Sequence, residues 1–547
     1  MPTLVKYKFF IYSVLSGVML GISFPASGGF YGLVFFGFVP LLLLEYEVVR
    51  SEQKSYKLLL YSFFSFLIFN FISTWWIYYA SLGGMLMAVL FNSLFMASVF
   101  QFFYFSKKYL GEKVGYICFV IFWLGFEWLH LNWELSWTWL TLGNFFANET
   151  YLIQWYEYTG VLGGSLWILI VNILLFTMVK NRINKLKISI AQGGVILALL
   201  VLPLLVSTLI RKNYVEEENS IHVLIVQPNI DPYNDKFGGM EDREQVQKML
   251  QLAEEKMDSA VRFVVLPETA LPNGYWEEEL DSIDLILMLK DFVTRYPKVR
   301  LVAGMSSFKE YKNGEEIPAT AKPFSDNSGW YDAFNTAIQI DASPKIQIYH
   351  KSKLVLGVEK LPFPWLLKPL EKFAIDLGGT VGSLGTQPIR SVFTEKAGET
   401  EMNLPNAAKI APVICYESIY GEFCTEYIQK GANVIFIITN DGWWEDTPGY
   451  KQHLAFARLR AIENRRSIAR CANTGTSAFI NQIGDVFDET PWWTPTVIKN
   501  TINLNNKNTF YSMHGDFIGR IAASLSVLLL FWAFSKKILK QRDCLSC

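Results

Sequence analysis

The sequence predicts two fold classes in one chain: a polytopic α-helical membrane domain of about eight transmembrane helices, and an α/β layered domain set between the seventh helix and the eighth. Three observations carry this reading. Seven apolar stretches of membrane-spanning length precede residue 212, and one follows residue 514. Between them the pattern changes to short apolar runs alternating with amphipathic stretches. Lys and Arg are crowded into alternate loops of the helical part. The expected boundaries are residues 1–212 for the membrane domain, 213–514 for the α/β domain, and 515–547 for the last helix and its tail.

Composition agrees. A chain of 547 residues with 51% hydrophobic, 16% aromatic and only 18% charged residues is too large for one domain and too apolar for a soluble one. A formal net charge of -1, with no basic run apart from membrane-flanking positions, gives no footprint for nucleic acid. Six scattered cysteines make no disulfide framework, and five dispersed histidines have no metal-ligand spacing, so neither a structural metal nor a cofactor is expected. The lone C-x-x-C, Cys544-Leu545-Ser546-Cys547, has no second pair and reads as a frayed tail.

The expected spans are 8–25, 28–48, 57–80, 84–106, 115–135, 161–179, 189–210 and 516–535. The first resembles a secretory signal, with Lys6 and Lys8 ahead of it, but a second apolar stretch follows at once and argues for a retained helix. Orientation follows from the basic residues. Lys6 and Lys8, then Arg50, Lys54 and Lys57, then Lys107, Lys108 and Lys113, then Lys180, Arg182, Lys185 and Lys187 mark cytoplasmic ends, as do Lys536, Lys537, Lys540 and Arg542. Loops 25–30, 81–84 and 136–160 carry no Lys or Arg and should face outward. Seven helices then leave residues 213–514 outside. Glu127 and His130, in the fifth span, are ionisable groups in an apolar stretch, which face a bundle interior or reach headgroups.

In the outer region, 221–227, 263–266, 300–305, 336–340, 345–349, 409–414, 434–439, 467–472 and 477–481 read as strands, and 241–257, 281–296 and 450–466 as helices. No repeat or low-complexity segment stands out. One strand is the focus of the chemistry. Residues 409–414 are short, apolar and β-branched, and deliver Cys415 to a polar turn, Tyr416-Glu417-Ser418. A thiol with an ordinary pKa near ~8.5 needs a base to become a nucleophile. Two similar segments could supply helpers: Phe263-Val264-Val265-Leu266-Pro267-Glu268 ends in a carboxylate, and Ile346-Gln347-Ile348-Tyr349-His350-Lys351 ends in an ammonium. Lys353 lies two residues on and shares a face with Lys351 if the strand continues. Cys424 and Cys471 lack such a frame and read as structural.

Leu266-Pro267-Glu268-Thr269-Ala270, Tyr349-His350-Lys351-Ser352-Lys353-Leu354-Val355 and Ile414-Cys415-Tyr416-Glu417 together resemble the Glu-Lys-Cys triad of the nitrilase superfamily. With hydrophobic helices before and after that domain, the whole chain resembles the apolipoprotein N-acyltransferase family of bacterial membrane enzymes. The resemblance implies a four-layer α-β-β-α sandwich, with Glu268 as general base, Lys351 and the Tyr416 N–H stabilising an oxyanion, and Cys415 as nucleophile. It selects Lys351 over Lys353 through the Tyr-x-Lys-x-x-Leu-Val frame. Glu359, Tyr416 and Glu417 match supporting positions. The loop Leu356-Gly357-Val358-Glu359-Lys360-Leu361-Pro362 departs from the usual Pro-Phe-Gly-Glu-x-x-Pro, keeping the Glu and the final Pro. Asn440-Asp441-Gly442-Trp443-Trp444 matches a loop near the family's pocket, although Asp-Gly is also a plain turn signal. Trp365, in an apolar loop at 360–367, and Trp443 and Trp444 are candidate lipid contacts, or a lid packed on its own domain. Trp137, Gly143, Gln154, Trp155, Glu157 and Gly160 match the family's recurring outer loop.

The resemblance implies acyl transfer from a phospholipid, typically phosphatidylethanolamine, through a Cys415 thioester to the α-amine of a lipoprotein's S-diacylglyceryl cysteine. It places the enzyme in the bacterial cytoplasmic (inner) membrane, with the catalytic domain on the periplasmic side. Two other readings stay open at this point. A membrane-anchored amidase or nitrilase for small amides would use the same triad, but one tethering helix would serve it. A transporter or sensor with an outer ligand-binding domain should show broken helices or more polar residues within the membrane.

Overall fold

In the computed structural model, the described residues are 2–187, 189–312, 314–363, 383–395 and 407–545. They divide into two compact units, one of residues 1–78, 82–213 and 514–547, the other of residues 79–81 and 214–513.

The first unit is helical. Seven helices among the described residues are long and apolar enough to cross a membrane: Tyr31–Arg50, Ser55–Thr74, Leu82–Leu110, Glu112–Asn132, Tyr156–Ile183, Ile190–Asn213 and Phe517–Asp543. A shorter apolar helix, Tyr7–Ser23, precedes them. The uniformly apolar runs form helices because only an internally hydrogen-bonded backbone is tolerated in hydrocarbon. Ile190–Asn213 and Phe517–Asp543 bury only 11% and 17% of their most apolar windows, so their side chains face outward, where lipid would cover them.

Between Asn132 and Tyr156 the chain folds back as two short 3₁₀ turns, Leu142–Phe146 and Thr150–Leu152, packed among the helices. This segment holds Gly143, where a β-carbon would sit 1.9 Å from the Val161 carbonyl oxygen, so only glycine fits. Glu127 accepts the Leu142 N–H at 2.8 Å and the Trp123 indole N–H at 3.1 Å. His130 Nδ1 accepts from the Trp133 indole at 2.9 Å. Glu127 and His130 therefore both face the interior, and Glu127 ties the segment to its helix. Gln154 is anchored by Ser207 and Thr150, Trp155 donates to the Leu152 carbonyl, and Gly160 sits at a φ of 59° where the following helix kinks. Trp137 stacks on Trp139.

The second unit is a two-sheet sandwich. In chain order its strands are β1 Ser220–Gln227, β2 Val261–Val265, β3 Leu271–Trp276, β4 Arg300–Tyr311, β5 Lys322–Pro323, β6 Trp330–Ile340, β7 Gln347–His350, β8 Phe393–Thr394, β9 Lys409–Ile414, β10 Val434–Thr439, β11 Ile468–Ala472, β12 Ala478–Ile480, β13 Val486–Phe487 and β14 Thr496–Asn503. One sheet runs β14-β1-β2-β4-β6-β5, with β3 on β4 and β7 on β6; the other runs β13-β12-β11-β10-β9-β8. β1, β2 and β4 are mutually parallel, as are β9, β10 and β11.

Apolar side chains from both sheets close the centre. Phe263 on β2 meets Phe436 on β10 edge-on at 5.4 Å, and Cys471 on β11 donates to the Val226 and Val265 carbonyls, consistent with a structural thiol. Helices Asp242–Glu255 and Asp284–Arg295 pack on the first sheet, and Gly421–Gln429 and Pro448–Asn464 on the second. The order is helices, sheet, sheet, helices: the four-layer sandwich implied by the resemblance. Strands buried on both faces read as continuous apolar runs, which is why 409–414 and 434–439 are legible. β3 contains Pro272 and Gly274, and β14 is polar, so neither is expected from the sequence pattern.

Candidate active site

Parallel strands in a covered sheet end together, and residues just beyond their carboxyl ends gather there. Glu268 follows β2, Lys351 follows β7, and Cys415 follows β9. Lys351 is buried, and its Nζ lies 3.1 Å from Glu268 Oε1 and 2.8 Å from Glu359 Oε1. Asn335, on β6, crosses the pair: its Nδ2 donates to Glu268 Oε1 at 2.8 Å and to Glu359 Oε1 at 2.9 Å. Its main-chain oxygen accepts the Lys351 N–H at 2.8 Å.

The atypical loop delivers Glu359 all the same. Gly357, at a φ of 82°, closes a turn by donating to Lys360 O, and Glu359 Oε2 accepts the Val355 N–H at 2.9 Å. Lys353 points elsewhere, with its ammonium 4.8 Å from the centroid of the Tyr420 ring. Of the two lysines, Lys351 is therefore the one that faces both carboxylates.

Cys415 begins a 3₁₀ turn, Cys415–Ile419, and adopts a φ of 47°. A left-handed non-glycine residue is strained and must be held by its surroundings. Its carbonyl oxygen accepts from Ser418 Oγ at 2.8 Å and lies 3.2 Å from His453 Nε2. His453 Nε2 is also 2.9 Å from Ser418 Oγ, and its Nδ1 is 3.0 Å from Asp441 Oδ1. Arg470 donates to Asp441 Oδ2 at 2.6 Å. Ser418, His453, Asp441 and Arg470 are fully buried, so this array grips the Cys415 backbone rather than meeting solvent. Glu417, also fully buried, accepts the Ile414 N–H at 2.9 Å, the Ser352 N–H at 2.7 Å and the Tyr349 hydroxyl at 2.7 Å. It joins the strand end bearing Cys415 to the segment bearing Lys351.

The electrostatics fit a resting thiol. Burial pushes the Cys415 thiol up, the charge of Glu268 adds to this, and Lys351 opposes it. Burial alone would lower Lys351, but Glu268 and Glu359 outweigh it and hold the ammonium well above the ordinary lysine range. A cysteine so placed stays a thiol until a base takes its proton.

Tyr416 is buried, with Tyr420 edge-on at 5.4 Å. Trp443, half-buried, lies 5.3 Å from the Tyr233 ring and 6.2 Å from that of Phe237, while Trp444 packs edge-on to His453 at 5.7 Å. Trp365 lies outside the described residues. Sequence reasoning missed Asn335, Ser418, His453, Arg470 and Lys236, the last of which donates to the Glu268 carbonyl at 2.8 Å. Only Asp441 carried a signal, in the Asn440-Asp441-Gly442 turn.

Comparison with known proteins agrees with this architecture. Residues 223–508 match the carbon-nitrogen hydrolase family, and residues 16–174 match the apolipoprotein N-acyltransferase N-terminal domain. The chain is 30% identical to the apolipoprotein N-acyltransferase of Chlorobaculum tepidum, covering 97% of both chains. It is 27% identical to the corresponding protein of Geobacter metallireducens over 96% of each, and 25% identical to apolipoprotein N-acyltransferase 1 of Treponema denticola over 98% of this chain and 99% of that one. Similarity running through both the helical unit and the hydrolase-like unit sets aside the transporter or sensor reading: this membrane protein is an N-acyltransferase and belongs to the apolipoprotein N-acyltransferase family.

Proposed function

We propose that this chain moves a fatty acyl group from a membrane phospholipid to the α-amine of an S-diacylglyceryl cysteine on an apolipoprotein, through a thioester on Cys415. Phosphatidylethanolamine is the donor that the family resemblance implies. The observation that carries the reading is the buried Lys351 ammonium held by Glu268 and Glu359, in a site where Glu268 and Lys351 both act electrostatically on the Cys415 thiol.

In the first half-reaction Glu268 takes the thiol proton as sulfur attacks the ester carbonyl. Lys351 and the Tyr416 N–H stabilise the oxyanion. The intermediate collapses to a thioester, and Glu268 returns the proton to the departing lysophospholipid oxygen. In the second, the neutral α-amine attacks the thioester, Glu268 accepts a proton from the nitrogen, and the sulfur leaves and is reprotonated. Ester and amine become amide and alcohol, and the enzyme is restored. Glu359 and Glu417 hold Lys351 and Cys415 in place. Trp443 and Trp444, with Trp365, contact lipid, and exclusion of water protects the thioester.

The catalytic unit corresponds to residues 213–514 and faces the periplasmic side of the inner membrane, as the loop charges favour. Residues 1–212 and 515–547 supply the membrane helices. Both substrates are lipids anchored in one leaflet, so a tethered site meets them without extracting either.

Intact mass of the purified protein incubated with phosphatidylethanolamine alone, beside Cys415→Ala, tests this. The expected result is a fatty-acyl adduct on the parent, absent in the variant and discharged by a diacylglyceryl-cysteine peptide as an N-acylated product. No adduct, with ammonia released from small amides, would establish an amidase instead.

A further inference from the structure

Lys236 is a buried lysine that the acyl-transfer scheme leaves unused. It lies in the turn-rich segment between β1 and helix Asp242–Glu255, and is 2% exposed. That segment is built to hold it. The Lys236 N–H donates to Asp231 O at 2.9 Å, and its carbonyl accepts from Gln245 Nε2 at 3.0 Å, with Gln245 itself buried. Its Nζ then donates to the Glu268 carbonyl oxygen at 2.8 Å. Glu268 is thus bracketed by two lysines, Lys351 on its carboxylate and Lys236 on its main chain.

Charge gives a second reason for a cation here. Glu268 and Glu359 bring two negative charges to a buried cluster in which Lys351 supplies one positive charge. An uncompensated buried charge is costly, and a second ammonium neutralises the set.

We propose that Lys236 is a positioning residue for acyl transfer: its ammonium holds the main chain of Glu268 and supplies a second positive charge that favours the Cys415 thiolate. This rests on the assignment of Glu268 and Cys415 as base and nucleophile.

The group's environment makes the contribution pH-dependent. Burial pulls the Lys236 ammonium down to about 7, and the groups opposing that are Glu268, Cys471 and Cys415. Cys471 is itself pushed up by burial and stays a thiol, donating to Val226 O. Below about pH 7 Lys236 is charged and supports the thiolate; as pH rises through that value the support is lost.

The test is alkylation of Cys415 by iodoacetamide in the full-length wild type, Lys236→Met and Lys236→Arg, followed between about pH 5.5 and pH 9. Peptide mass mapping separates Cys415 from the other five cysteines, Cys118, Cys424, Cys471, Cys544 and Cys547. In Lys236→Met, Cys415 should label about tenfold more slowly than wild type on the acid side, and the two should converge above about pH 7. Lys236→Arg should keep the acid-side rate and exceed wild type on the alkaline side. Equal rates in all three proteins, or a deficit in Lys236→Met that is the same at every pH, overturns the proposal. Acyl-adduct formation from phosphatidylethanolamine, measured on the same wild-type sample, separates the two ideas. The expected labelling pattern without an adduct would refute the acyl-transfer reading while leaving the effect of Lys236 on Glu268 and the Cys415 thiolate intact.

Discussion

The carboxylate of Glu417 accepts the backbone N–H of Ser352 at 2.7 Å, linking the residue two places after Cys415 to the residue directly after Lys351. One buried side chain thus sets the spacing between Cys415 and Lys351, which lie in different sheets' connections. Glu417→Gln keeps the volume but turns one acceptor oxygen into a donor facing a backbone N–H. A buried N–H without an acceptor costs about 1–3 kcal/mol. The expected outcome is a lower thermal unfolding midpoint, together with roughly hundredfold slower acyl-adduct formation from displaced groups.

Asn335 separates two carboxylates that would otherwise repel each other across Lys351. Asn335→Ala removes two donated hydrogen bonds, and adduct formation should fall roughly tenfold. Asn335→Asp instead adds a third acidic group, so the loss should be larger, roughly a hundredfold or more, and part of it should be recovered at lower pH as a carboxyl is protonated. A pH–rate profile of single-turnover acylation distinguishes the two variants. Equal losses at all pH values would show that Asn335 acts by shape alone.

Gly304 lies beneath Glu268, the proposed base. A β-carbon there would sit 2.5 Å from the Thr269 nitrogen and 2.7 Å from the Glu268 α-carbon, and both contacts are to main-chain atoms that cannot swing aside. Gly304→Ala should cost about 1–3 kcal/mol of stability by overpacking. It should also slow both adduct formation and iodoacetamide labelling of Cys415, because the proposed base is displaced and both reactions need the thiolate.

Asp441 gives the acid limb of stability. Burial would raise its carboxyl, but Arg470 and His453 outweigh it and hold the group below the usual aspartate range. A depressed folded value means that its contribution is present above the unfolded value, near ~3.9, and is lost as pH falls through the folded one. The unfolding midpoint of wild type should therefore drop steeply in that acid window. Asp441→Asn should be less stable near neutrality and show a shallower drop. An unchanged slope would mean that another carboxylate governs acid unfolding.

The sequence by itself determined the parts that depend on local pattern. Apolar runs such as 189–210 specify membrane helices because an unpaired backbone is intolerable in hydrocarbon, and runs such as 409–414 specify strands covered on both faces. A charged residue placed directly after such a run, as Glu268 and Lys351 are, is visible without any structure. Tertiary structure alone decided what meets what. Lys351 rather than Lys353 faces the carboxylates because β7 ends at His350 and the chain then turns against Asn335. Asn335 and Lys236 look like ordinary polar residues in their own segments, and Ser418 and His453 reach the Cys415 carbonyl from a turn and a helix, while Arg470 on β11 contacts His453 and Asp441 behind them. Their roles come from hydrogen bonds between residues up to tens of positions apart, closed only when the two sheets pack and water is excluded. Periodicity records which face of an element is buried, and carries no information about which distant polar group waits on the other side.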